Sequence, residues 1–186
     1  RLWKMKLSTR GLCELGKQLG ADIPFLILVQ NTAYECALGT GIGDELKPLK
    51  YGMRKYLVLA KPAFGVSTKE VFKGIDSCLV SDRPNIRELV RALKTGEQGI
   101  VFANMINVLE AYTCSRYKEV NELKEKLKAT DGVRKVIMSG SGPTVMAVYD
   151  TYQAAKRACL TVRGQGYEAY WTQTMKEIGG KNNAEF

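Results

Sequence analysis

Val133-Arg134-Lys135-Val136-Ile137-Met138 and Thr144-Val145-Met146-Ala147-Val148-Tyr149 flank Ser139-Gly140-Ser141-Gly142-Pro143. Both flanks are rich in β-branched and aromatic residues, the composition of strands, so the segment between them is a tight turn. Two glycines in four positions allow positive φ and let another group approach the backbone N–H donors. The turn is no Walker loop, since no Gly-Lys-Ser/Thr follows, and no G-x-G-x-x-G fingerprint. The residues alone leave two readings open, an ordinary hairpin turn and a phosphate-holding loop.

The strand pair continues into Thr151–Val162, whose Ala154, Ala155, Ala158 and Val162 recur at helical spacing, and then into a last strand around Tyr167–Thr172. Before it, Tyr117–Lys128 predicts a helix with Val120, Leu123 and Leu127 inward, and Asp131-Gly132 a turn. Upstream, Asn85–Lys94 predicts a helix opened after Pro84, and Gln98–Tyr112 a single longer one. Val66-Ser67-Thr68-Lys69-Glu70-Val71-Phe72 carries a capping box, Ser67 with Glu70, which starts a short helix. By residue type Phe72 reads as a core anchor. Thr32–Ala37 and Tyr56–Ala60 predict strands, and Gly39-Thr40-Gly41-Ile42-Gly43 a structural turn between them.

Near the start, Ser8–Leu19 predicts a helix with Ser8 as cap and Leu12, Leu15 and Leu19 on one face, ended by Gly20. Asp22 follows at a corner, between that helix end and Pro24, which rules out helical continuation. Such a carboxylate either stabilises a turn or orients and deprotonates a hydroxyl nucleophile. The sum is α+β: a four-stranded antiparallel sheet with helices on one face. Its end has the strand order of a split β-α-β, ferredoxin-like unit, to which the first helix is foreign.

Composition bounds the chemistry. The 186 residues are 45% apolar and 25% charged, which suits a folded domain. The longest apolar run, Ile23–Val29, is far short of the roughly 20 residues that cross a bilayer, so no membrane span is expected. Five cysteines without a C-x-x-C pair point to reduced thiols and a cytoplasmic setting. Histidine is absent, which removes Ser-His-Asp and Cys-His machinery and leaves proton transfer to Asp, Glu, Lys, Tyr or Cys. A net charge of +9 favours anionic partners without choosing among them.

Two motifs taken together, Leu19-Gly20-Ala21-Asp22-Ile23-Pro24-Phe25 and Ser139-Gly140-Ser141-Gly142-Pro143, resemble in order and separation those of the GHMP small-molecule kinases. Val66-Ser67-Thr68 running on to Phe72 adds to the resemblance, as does Asn107-Val108-Leu109-Glu110, similar to the family's N-D-L-E element with Val for Asp. The likeness covers nearly the whole chain. It implies a ferredoxin-like C-terminal domain over residues 31–175, with residues 1–30 closing a preceding nucleotide-binding domain and 176–186 a tail.

It further implies ATP as phosphoryl donor, accompanied by Mg²⁺ without protein ligands identified here. The acceptor would be a hydroxyl of a cytidyl-diphosphate-linked methylerythritol of non-mevalonate isoprenoid synthesis. By the same resemblance Asp22 matches the catalytic base, and Ser139, Gly140, Ser141 and Gly142 match the motif beside the nucleotide phosphates. Thr68 and Phe72 match positions lining the cytidine pocket. The family's main ATP loop, P-x-x-x-G-L-G-S-S-S, and the lysine that partners the Asp have no counterpart here and would precede Arg1. The expectation is therefore a C-terminal portion, inactive without its N-terminal kinase domain. Alternatives are a GHMP kinase for another alcohol, or a noncatalytic nucleotide- or RNA-binding domain. For RNA, the K/R-G-F/Y-G/A-F-V-x-F/Y strand signature is missing, so no nucleic-acid partner is expected.

Overall fold

A computed structural model describes residues 7–49 and 53–174. They form two compact units: one holds the residues up to Met53 together with Leu93–Gly96, the other Arg54–Ala92 and Glu97–Thr174.

The first unit opens with α1 (Thr9–Lys17), capped where Ser8 Oγ accepts from Gly11 N at 3.1 Å. Its inward face is not the leucine stripe. Leu15 is 50% and Leu19 84% exposed, whereas Thr9, Cys13 and Gly16 are buried. The reason lies in α2 (Ile23–Asn31), which packs against α1 at Gly16, where a Cβ would lie 2.8 Å from Ile23 and Ile27. No larger residue allows that approach. Pro24 does not hold the segment as a bare corner, because proline in the first helical turn lacks only an N–H that has no partner there anyway. Thr32, expected to open a strand, instead caps α2, its Oγ1 donating to Leu28 O at 2.7 Å. The strand begins later, as β1 (Cys36–Thr40), and pairs antiparallel with β2 (Glu45–Leu49). The Gly39–Gly43 segment is the hairpin turn between them, with Gly41 and Gly43 at positive φ.

The second unit runs β3 (Tyr56–Lys61), α3 (Thr68–Ile75), α4 (Ile86–Thr95, whose last residues Leu93–Thr95 count with the first unit), α5 (Gln98–Asn104), α6 (Glu110–Arg116), α7 (Lys118–Lys128), β4 (Val133–Met138), β5 (Val145–Tyr149), α8 (Tyr152–Gly164) and β6 (Glu168–Gln173). The sheet order is β4-β5-β3-β6, every pair antiparallel, the arrangement expected of a ferredoxin-like unit. Alternate residues Val58, Ala60, Val136, Met138, Val145, Ala147 and Tyr149 turn one face into the core. Val120, Leu123 and Leu127 of α7 and Ala154, Ala155, Ala158, Cys159 and Val162 of α8 pack on it. The alanines let α8 lie close, and each fully buried Val or Leu contributes about 1.5–3 kcal/mol. Tyr149 is wholly buried, and its hydroxyl meets the Thr130 hydroxyl at 2.7 Å, so no polar atom is left stranded.

The single helix expected over Gln98–Tyr112 is two, α5 and α6, separated by residues 105–109. The break follows from side-chain bonds made by Asn107, which cap the Leu109 N–H and reach the 138–140 backbone. Among the described residues no helix is long and apolar enough to cross a membrane.

Helix α3 meets α6 at Gly74, where a Cβ would fall 2.0 Å from the Tyr112 ring. Glycine to alanine inside a helix ordinarily gains up to about 1 kcal/mol. Here Gly74→Ala is expected to destabilise by about 1–3 kcal/mol through overpacking, read by chemical denaturation.

Candidate functional site

The turn after β4 is built around two glycines with different constraints. Ser139 N donates to Thr144 O at 2.8 Å and Gly142 N to Ser139 O at 3.0 Å, closing the loop, and the Gly142–Pro143 peptide is cis. Gly142, at φ +86°, has no room for a side chain: a Cβ would lie 2.7 Å from Met138 Sδ and 3.2 Å from Thr113 Cγ2. Gly140, at φ +55°, faces open space. Among the described residues the N–H groups of Gly140 and Ser141 have no protein acceptor. Two adjacent unspent donors in an exposed glycine turn form a concavity suited to an anion.

The carbonyls of the same loop are spoken for by side chains from α6 and the segment before it. Asn107 Nδ2 donates to Met138 O at 2.9 Å and to Gly140 O at 2.8 Å. Thr113, fully buried, donates its hydroxyl to Ser141 O at 3.1 Å. Glu110 Oε1 accepts from Met138 N at 2.6 Å, while its other oxygen pairs with the buried Lys124 ammonium.

Thr68, at the start of α3, brings its hydroxyl 2.9 Å from that of Ser141, so the expected cytidine-side and phosphate-side positions adjoin. Ser67 caps α3 as the sequence indicates, its Oγ accepting from Glu70 N at 3.3 Å. Glu70, however, does not return to the cap. Its carboxylate accepts from the hydroxyls of Tyr112 at 3.1 Å and Tyr117 at 3.2 Å, and Tyr117 stacks on Phe64 with centroids 5.6 Å apart. The bond to Glu70 raises the Tyr112 hydroxyl above its ordinary pKa, and burial first, then Glu70, does the same for Tyr117. Both therefore stay protonated donors. Phe72 is no core anchor: Val71 takes the buried position and Phe72 is 58% exposed. A single residue step along the helix separates these fates, since consecutive residues face about 100° apart.

Asp22 belongs to the first unit. It is the N-cap of α2, exposed, and its side chain makes no capping bond. It lines an open concavity of about 350 Å³ with Phe25, Leu26 and Leu46. Within the second unit Thr68 and Ser139–Gly142 come together, and Phe72 lies one turn along α3 from Thr68. The roles of Thr113, Tyr112 and Tyr117 had no signal in the sequence. Asn107 and Glu110 had one, the Asn-Val-Leu-Glu element, hidden by placing it mid-helix. Among the described residues no three side chains of metal-ligating type converge.

Comparison with known proteins finds relatives of the same fold. Residues 82–168 match the family model described as GHMP kinases C terminal. The chain is 39% identical to a 4-diphosphocytidyl-2-C-methyl-D-erythritol kinase of Clostridium acetobutylicum, over 94% of this chain and 60% of that protein. It is also 39% identical to one of Alkaliphilus oremlandii, over 96% of this chain and 60% of the relative. A crystal structure of 4-(cytidine 5'-diphospho)-2C-methyl-D-erythritol kinase superposes with TM-score 0.72 at 27% identity, covering 92% of this chain and 59% of that one. The chain thus spans about 60% of the length of the curated relatives it matches. Residues 82–168, which carry β4, the glycine turn, β5 and α8, are those of a GHMP kinase C-terminal domain, and β3 and β6 from the flanking sequence complete its four-stranded sheet.

Proposed function

We propose that this chain serves the ATP-dependent phosphorylation of a hydroxyl of 4-diphosphocytidyl-2-C-methyl-D-erythritol, the step named for its relatives. The observation that carries this is the juxtaposition of the unspent Gly140 and Ser141 donors with Thr68, on the helix that also bears the exposed Phe72. Phosphoryl transfer asks mainly for positioning and charge stabilisation. Backbone N–H groups at 140 and 141 supply fixed partial positive charge to a phosphate without a cationic side chain. Phe72 offers a free aromatic face to the cytosine ring, and Thr68 a hydroxyl to the nucleoside.

Asp22 takes the acceptor proton. As the substrate oxygen bonds to the γ-phosphorus and the bond to the ADP oxygen breaks, the hydroxyl proton passes to the Asp22 carboxylate. Its lack of a capping bond leaves both oxygens available. Mg²⁺ bound with ATP would neutralise charge on the β- and γ-phosphates. With no cluster of ligating side chains among the described residues, none is assigned to it. The family's P-x-x-x-G-L-G-S-S-S loop has no counterpart in these residues, so the main ATP cradle is contributed from elsewhere and the 186 residues are inactive alone.

The test is turnover by the full-length protein with the cytidyl substrate, homoserine and mevalonate in parallel, followed by ³¹P NMR. A new phosphomonoester only with the cytidyl substrate is expected; product only with another alcohol assigns a different member of the family. Asp22→Asn is expected to lower kcat by about 10²–10⁴-fold. Phe72→Ala is expected to raise KM for the cytidyl substrate about tenfold and leave KM for ATP unchanged, from the worth of one base–aromatic stack.

A further inference from the structure

A glycine turn presents N–H groups to a ligand only if something fixes the rotation of its peptide planes. Gly140 itself does not. It sits at positive φ with open space where a side chain would be, and its neighbouring peptides are free of any steric constraint from it. In a planar trans peptide the C=O and the following N–H point in opposite directions. Whatever grips Gly140 O from inside therefore turns Ser141 N–H outward. The group that grips it is the side-chain amide of Asn107, at 2.8 Å.

That amide is fully committed. One N–H goes to Gly140 O, the other to Met138 O, and Oδ1 accepts from Leu109 N at 3.1 Å. The Leu109 N–H also decides which end of the amide is oxygen, so the NH₂ must face the loop. Glu110 on Met138 N and Thr113 on Ser141 O hold the loop at either end. Of the two peptides with an unspent N–H, Ser139–Gly140 is held through Ser139 O by Gly142 N, and Gly140–Ser141 is held by Asn107 alone.

We propose that Asn107 is a positioning residue for nucleotide binding, setting the Gly140–Ser141 peptide so that the Ser141 N–H faces a phosphate, a role that rests on the loop being the phosphate site proposed above. An amide is required rather than any polar group of that size, because an isosteric carboxylate would set negative oxygens against two carbonyls. Serine would keep an oxygen for the Leu109 N–H and fail to reach the loop.

The test is calorimetric titration of the full-length protein with ADP, comparing Asn107→Ser, Asn107→Asp and Val162→Ala. The last removes buried α8 core away from the loop and controls for lost stability. Asn107→Ser is expected to weaken ADP about tenfold, the worth of one or two hydrogen bonds, and Asn107→Asp to weaken it further. Val162→Ala is expected to melt lower and bind ADP as the wild type does. In turnover the Asn107→Ser effect is expected in KM for ATP, with KM for the alcohol unchanged. Asn107 variants that melt lower yet bind ADP with wild-type affinity would overturn the inference and leave the loop assignment standing. A wild-type protein that binds no ADP would overturn the loop assignment and the inference with it.

Discussion

A loop that offers its N–H groups to a ligand must dispose of its carbonyls, and in this protein the α6 region does so. Met138 O, Gly140 O and Ser141 O each receive a side-chain donor from Asn107 or Thr113, while Glu110 takes Met138 N. Left to itself, a glycine turn of this length would rotate its peptides to satisfy both groups with water. Held from beneath, it keeps one polarity outward. The cost falls on the core, which accepts a buried threonine hydroxyl and a half-buried Glu110–Lys124 pair in exchange for a fixed loop.

The same economy of parts governs α3. Glu70 serves no cap; it draws in the hydroxyls of Tyr112 and Tyr117, and Gly74 allows the Tyr112 ring to lie against the helix. Thr68 then meets Ser141 across 2.9 Å. Helix and loop are thus both referenced to α6 and the residues flanking it, one through Tyr112 and Tyr117 and the other through Asn107 and Thr113. A substitution in α6 is therefore expected to move the two together, although α6 presents none of the positions assigned to ligand.

Local and periodic features were legible in the sequence. The apolar spacing of α7 and α8, the caps Ser8 and Ser67, and the strands on either side of the glycine turn lie within a few residues of their causes. Where the cause is distant, the sequence misleads. The α5–α6 break depends on bonds from Asn107 to residues 31 and 33 positions away, so periodicity ran through it. The leucines of α1 gave way to Gly16 because close packing against α2 mattered more than an apolar stripe. Helix α2 was hidden by an apolar run with no period and by a proline that the first turn tolerates. Of the site, Asp22 and residues 139–142 were candidates from their own neighbourhoods, each beside a plain turn reading, whereas the roles of Thr68 and Phe72 came through the family resemblance alone. The exposure of Phe72 ran against its residue type. The tail from residue 176 lies outside the described residues.

The most direct measurement is a ¹H–¹⁵N map of amide shifts in the full-length protein as ADP is added. If the clamped turn is the phosphate site, the Gly140 and Ser141 amides move furthest among residues 54–174, downfield as they take a charged acceptor, and Gly142, already bonded to Ser139, moves little. ADP binding that leaves the Gly140 and Ser141 amides in place would contradict the account and put the nucleotide elsewhere.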